Sequence, residues 1–290
     1  MFIEMWLFYA ILAGICIGIF SFTTKIVSEN NYDKDLSLFY LMGFSVCFAV
    51  LSFVLFSKVL FSFDSFFIAL IPGMLYPLNL KLRMTSLKFI SSSTYFINYR
   101  IFSSTILFIS GIYFFSEIVS IFQWIGMLLG FYIFYLLLEK KSNTENKKDF
   151  RTGVLYMLYG VVLIVFVNSA IKYIAVSGFD IYSFLVNYMI ISLITSFLFS
   201  PKKIIKSHNL KNINTRFILF SINQAFFFIG SIIFVVLGFE LGNLGAVYKI
   251  MSYSLFIPII LSIIFYKEKV TLRKSFAFVL TIISIYLFSI

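Results

Sequence analysis

Ten long apolar runs separated by short polar stretches make up nearly the whole chain: 5–24, 36–57, 65–85, 91–115, 119–138, 153–175, 180–199, 216–238, 243–266 and 271–290. Each is close to the roughly 20 residues a helix needs to cross the hydrocarbon core of a bilayer. Their unbroken apolarity predicts helices, because a barrel would show short alternating segments. The longest polar connections are 139–152 and 200–215, and the first divides the chain into residues 1–138 and 153–290, with 139–152 as the linker. The two parts close alike. Phe115-Ser116-Glu117 is followed by Gln123-Trp124-Ile125-Gly126 in one, and Tyr266-Lys267-Glu268 by Thr271 and Arg273 in the other. The pattern predicts an all-α polytopic membrane protein with ten transmembrane helices in two five-helix repeats. Five is odd, so the second repeat enters the bilayer inverted, an arrangement that gives two mirror-related gates around a central site.

Charge adds orientation. The chain has 290 residues, 61% hydrophobic, with 23 Lys and Arg against 12 Asp and Glu, and its mean hydropathy of +1.02 is that of a membrane protein. Nineteen of the 23 cations follow odd-numbered runs, Arg83 counted among them; Lys58 and Lys172 follow even-numbered ones, and Arg100 and Lys249 lie inside runs. Cations gathered in alternate short loops set topology, so the basic balance points to no nucleic-acid partner. The odd connections are expected in the cytoplasm and both termini outside, in a cell (plasma or inner) membrane. Glu4 stands where a leader's basic region belongs, so no cleaved leader is expected. Monomer and homodimer both remain open.

The remaining polar residues are the candidate chemistry. Arg100 in span four and Lys249 in span nine are cations where lipid would penalise them, and no Asp or Glu lies inside a span beside them. Aligning Glu117 with Glu268 sets Asn98 opposite Lys249 and Arg100 opposite Met251. A polar patch therefore recurs: Tyr95, Asn98, Tyr99 and Arg100 in one repeat, Tyr248, Lys249 and Tyr253 in the other. A cation facing a cavity favours a carboxylate or phosphate, and Arg offers it a planar fork. The competing reading is that both side chains bend to the nearest headgroups. The amides Asn79, Asn168, Asn187, Asn223 and Gln224 are expected to face inward, Asn187 and Asn223 foremost, either at the site or as hydrogen-bonded links between helices. Pro72, Pro77 and Pro258 are hinges or static kinks. The one His, His208, falls in the Lys-rich loop after span seven. No nucleophile triad, metal cluster or phosphate-cradling loop is present, so neither an enzyme nor a bound cofactor or metal is expected.

These features resemble the drug/metabolite transporter superfamily, in its EamA-type ten-helix branch. The matching residues are Gly14, Gly18 and Lys25 on the first helix, with Lys172 at the equivalent place in the second half. The stretch Thr85-Ser86-Leu87-Lys88-Phe89-Ile90-Ser91, and Glu117 and Glu268 after helices four and nine, complete the pattern. Where that family usually has Gly before the Glu, this chain has Ser116 and Lys267. The resemblance implies a secondary transporter of a small-molecule substrate working by alternating access. An amino acid or another carboxylate- or phosphate-bearing solute is expected at Arg100, moved by exchange or facilitated flux. A quaternary amine such as choline in a box of Tyr rings is the alternative, and a non-transporting membrane scaffold is the alternative of another class.

Overall fold

The computed structural model describes residues 2–29, 32–57, 60–90, 92–137, 147–199, 201, 204, 215–257, 260–261, 264 and 272–289. Glu268, Lys267, Thr271, Pro258 and His208 lie outside the described residues, as does 139–146 of the linker. Helices α1 (Phe2–Glu29), α2 (Lys34–Phe56), α3 (Phe66–Ser86), α4 (Ser92–Phe115) and α5 (Ile121–Leu137) come from the first part of the chain. Helices α6 (Lys147–Val176), α7 (Ile181–Phe199), α8 (Thr215–Leu241), α9 (Leu244–Ser252) and α10 (Leu272–Ser289) come from the second. No strand occurs among the described residues.

Five segments are long and apolar enough to cross a membrane by themselves: Met5–Thr24, Lys34–Phe56, Asp149–Val176, Ile181–Phe199 and Arg216–Leu241. The protein is membrane-spanning and all-helical. Helices α3 and α4 are 21 and 24 residues long but stand outside that set. The first carries Asn79, Lys81 and Arg83, the second Asn98 and Arg100. Two expectations shift. Helix α6 begins at Lys147, inside the stretch read as linker. The single run 243–266 is interrupted: a nine-residue helix gives way to a 3-10 turn at Tyr253–Leu255, and the described residues beyond it, 256–257, 260–261 and 264, are helical. Helix α3, by contrast, runs unbroken through Pro72 and Pro77.

Helix partners follow one rule. Helix α1 packs on α8, and α6 on α3; α3 packs on α7, and α8 on α2; α4 packs on α6, and α9 on α1. Helices α2 and α7, α4 and α9, and α5 and α10 pair with each other. Replacing each helix by the one five places along turns this set of contacts into itself. Three pairs among the described residues break the rule: α6 packs on α8, α2 on α3 and α8 on α9, while the exchanged pairs α1 and α3, α7 and α8, and α3 and α4 lack a comparable contact.

Small residues permit the close crossings that bundles in lipid rely on. A Cβ at Gly73 of α3 would lie 2.6 Å from Ile191 Cγ2 of α7. One at Gly245 of α9 would lie 3.1 Å from the Cα of Phe108 on α4. The start of α2, the end of α3 and the start of α6 meet at one end. There Lys34 donates to the Met84 carbonyl, Lys81 pairs with Asp35 at 3.0 Å, and Ser86 donates to the Gly153 carbonyl at 2.8 Å. At the other end Ser57 meets Asp180 at 3.5 Å.

Candidate functional site

A cavity of about 70 Å³ lies among the helices. Helix α3 contributes Tyr76, Asn79, Leu80 and Arg83 to its wall; α8 contributes Phe228, Ser231, Ile232 and Val235. Each of these α8 residues stands 152 positions after its α3 counterpart, so the two helices use the same four stations. Ile17 and Phe20 of α1 recur as Ile164 and Val167 of α6, 147 positions on, and Arg100 of α4 recurs as Met251 of α9, 151 on. Tyr76 and Phe228, one such pair, stack on each other with centroids 4.8 Å apart and planes at 19°.

The walls differ in chemistry. On one side Asn79 Nδ2 donates to the Tyr99 hydroxyl at 2.9 Å and to the Gly160 carbonyl at 2.6 Å, tying α3 to α4 and α6. Tyr95 stacks behind Tyr99 at 5.3 Å. Arg100 donates to the Tyr248 hydroxyl at 3.5 Å, and Tyr248 donates to Ser103 at 3.2 Å, which links α4 to α9. Arg83 is 8% exposed. Its guanidinium lies 4.5 Å from the centre of the Phe96 ring, and its Nε and Nη2 have no hydrogen-bond partner. Across the cavity, Ser231 only returns its hydroxyl to the Phe228 carbonyl of its own helix, at 2.6 Å, and Ile232 and Val235 are apolar. No Asp or Glu lines the cavity among the described residues.

Of the residues expected from sequence, Asn79, Tyr99, Arg100 and Tyr248 meet on this wall, and Asn168 of α6 also lines the cavity. Tyr95 lies one layer behind it. Lys249, about 100° further round the helix than Tyr248, turns away and reaches over Gly130 of α5. Asn98 is buried off the cavity wall. Tyr253 bonds Ser284 of α10. Asn187 donates to the Ser62 carbonyl at 3.3 Å and to Ser65 at 3.4 Å, fastening α7 to the segment before α3. Asn223, expected inward, is exposed on the outside of α8, and its neighbour Gln224 is the buried amide. A single position changes the facing because one residue is a 100° step around the helix.

Arg83 was counted with the loops because it lies three residues from the end of α3. Its signal was periodicity: Tyr76, Asn79, Leu80 and Arg83 have the i, i+3, i+4, i+7 spacing of one helix face. A second arrangement was equally hidden. Lys172 Nζ donates to the Phe239 and Gly242 carbonyls at 2.9 and 2.8 Å and lies 3.4 Å from Glu117 Oε1. All three ammonium donors are thereby used, and two of the last carbonyls around the end of α8 are satisfied. Glu117 Oε1 also accepts the Leu244 N–H at 2.6 Å. The carboxylate folds over Gly111, where any side chain would collide with it. Ser116, just before it, has φ 50°, the left-handed conformation that glycine adopts without strain.

No protein-family model matches the sequence, and no curated protein matches it. A solved crystal structure of a protein is similar over 96% of this chain and 97% of its own, with a TM-score of 0.72 and 12% sequence identity. At that identity the likeness is one of fold.

Proposed function

We propose that the protein is a secondary transporter of a small anion-bearing metabolite, built as two inverted five-helix repeats and working by alternating access in a cell membrane. The observation that carries this reading is the cavity. Matched stations of the two halves line it, and two guanidiniums stand on its wall with no acidic side chain beside them among the described residues. A buried cation in such a site attracts a carboxylate or phosphate, and Arg binds either through a planar fork. The exchange of helix partners supports the inverted repeat. The strongest of its breaches, α6 against α8, suits a state fastened at the end where Lys172 and Glu117 meet. With odd connections cytoplasmic, that end is the external one.

The test is counterflow in proteoliposomes loaded with mixed organic anions. Wild type exchanges at least one anionic solute, and Arg100→Ala abolishes the exchange while the protein still folds. Absence of flux for every anion, with Arg100→Ala matching wild type in binding, overturns the reading in favour of a membrane scaffold. A quaternary amine held by Tyr rings would have to sit beside two guanidiniums; choline flux in preference to anions is the result that would select it.

A further inference from the structure

Arg83 makes the site more specific than an anion-accepting cavity. The Nε and Nη2 of a guanidinium form its side-on fork, which takes two oxygens of one carboxylate or phosphate. On Arg83 these are the two nitrogens without a hydrogen-bond partner, on a side chain 92% buried by its 8% exposure. The ring of Phe96 beneath the guanidinium holds its plane. Arg100 stands on the same wall, and no carboxylate lines the cavity among the described residues. The opposite wall offers Ile17, Phe228, Ile232 and Val235, a surface for an apolar body.

We infer that the cavity takes a phosphomonoester dianion, its head shared between Arg83 and Arg100 and its apolar body lying against the α1 and α8 wall. The inference rests on the transport reading for what the site does, and on the geometry alone for what it binds. A phosphomonoester carries about −1.5 to −2 at neutral pH and offers three oxygens to two forks. A monocarboxylate leaves one guanidinium uncompensated in a medium where that is costly. A zwitterionic amino acid adds an ammonium that meets two like charges and no lining carboxylate. The phosphate belongs to a soluble ester or to a lipid headgroup, and the two sources share this chemistry.

The test is calorimetric titration of the purified full chain with phenyl phosphate, benzoate, L-phenylalanine and dioctanoyl phosphatidate. Phenyl phosphate is expected to bind at least about tenfold more tightly than benzoate or L-phenylalanine, the gain of one more charge-assisted fork. In Arg83→Gln that preference disappears, while the ligand-free melting temperature does not fall, because a cation with free donors has been removed from the interior. Arg83→Lys, which keeps the charge and loses the fork, is intermediate. Should the variants fail to fold, wild type decides alone. Affinity for phenyl phosphate rises as the second proton leaves near pH 6, and affinity for benzoate stays flat across that range. A phosphatidate preference without phenyl phosphate binding assigns the head to a lipid, and binding of both assigns it to a soluble ester. Equal binding of benzoate or L-phenylalanine, no binding by any of the phosphates, or a preference that survives Arg83→Gln overturns the inference. Flux is read separately: phosphomonoester binding without flux sinks the transport reading and spares the site, and flux favouring a monocarboxylate does the reverse.

Discussion

The α3 and α8 walls of the cavity share their stations and little of their chemistry. Tyr76, Asn79, Leu80 and Arg83 face Phe228, Ser231, Ile232 and Val235. The apolar members of the set are similar in shape, Leu80 with Ile232 and the ring of Tyr76 with that of Phe228. The polar members are not: an amide and a guanidinium on α3 correspond to a hydroxyl and an isopropyl group on α8. The comparison separates two demands on the chain. Packing around a two-fold exchange needs matching volumes at matching places, and either helix can meet that demand with apolar side chains. Recognition needs polar groups at the cavity, which one wall is enough to supply. The polar groups are concentrated on α3 and α4, and the α8 wall is apolar apart from Ser231.

The largest effect is expected where the halves are fastened together. Lys172→Met leaves Glu117 buried without its cation and takes the donor from two carbonyls at the end of α8, so unfolding in detergent should show a loss of about 3–5 kcal/mol. Adding Glu117→Gln should restore more than half of it; a silent single variant would mean that this junction holds nothing. The next effect tests the asymmetry of the walls directly. Asn79→Leu removes a donor from both the Tyr99 hydroxyl and the Gly160 carbonyl, and should cost about 2–3 kcal/mol. Ser231→Ala, at the matching station, loses only a bond within its own helix and should stay within about 0.5 kcal/mol of wild type. Equal losses would erase the distinction between the walls. Smaller still is the coupling between Tyr76 and Phe228. A double-mutant cycle with alanine should return about 1 kcal/mol for the stacked rings, and additive behaviour would show that the halves do not meet there. Last, Ser116→Gly should stabilise the protein by about 0.5–1 kcal/mol, because Ser116 holds a positive φ that glycine adopts freely. A loss of stability would mean that the hydroxyl matters more than the strain.

Much of the molecule was legible in its apolar runs. Helix boundaries over α1, α2, α7 and α8 follow hydropathy because lipid leaves a spanning segment no other way to satisfy its backbone. The meeting of the α2 start, the α3 end and the α6 start at one end follows from the chain crossing back and forth, and Lys34, Lys81 and Arg83 lie toward that end. The cavity was half legible. Asn79, Tyr99, Arg100 and Tyr248 were recognisable as polar groups too deep for lipid. Lys249, Asn187 and Tyr253 satisfied the same criterion, yet Asn187 and Tyr253 link helices away from the cavity and Lys249 reaches over α5.

What the sequence by itself determined is therefore where the helices run and which of their residues lipid would reject. That follows from solvent alone, since the bilayer acts on each segment one at a time. Which rejected residues face the cavity was decided by tertiary structure. A helix turns 100° per residue, so Tyr248 and Lys249, or Asn223 and Gln224, part company on adjacent positions according to the neighbour that packs beside them. The pairing of Lys172 with Glu117 and the free fork of Arg83 were decided in the same way, by helices far apart in the chain arriving at the same point.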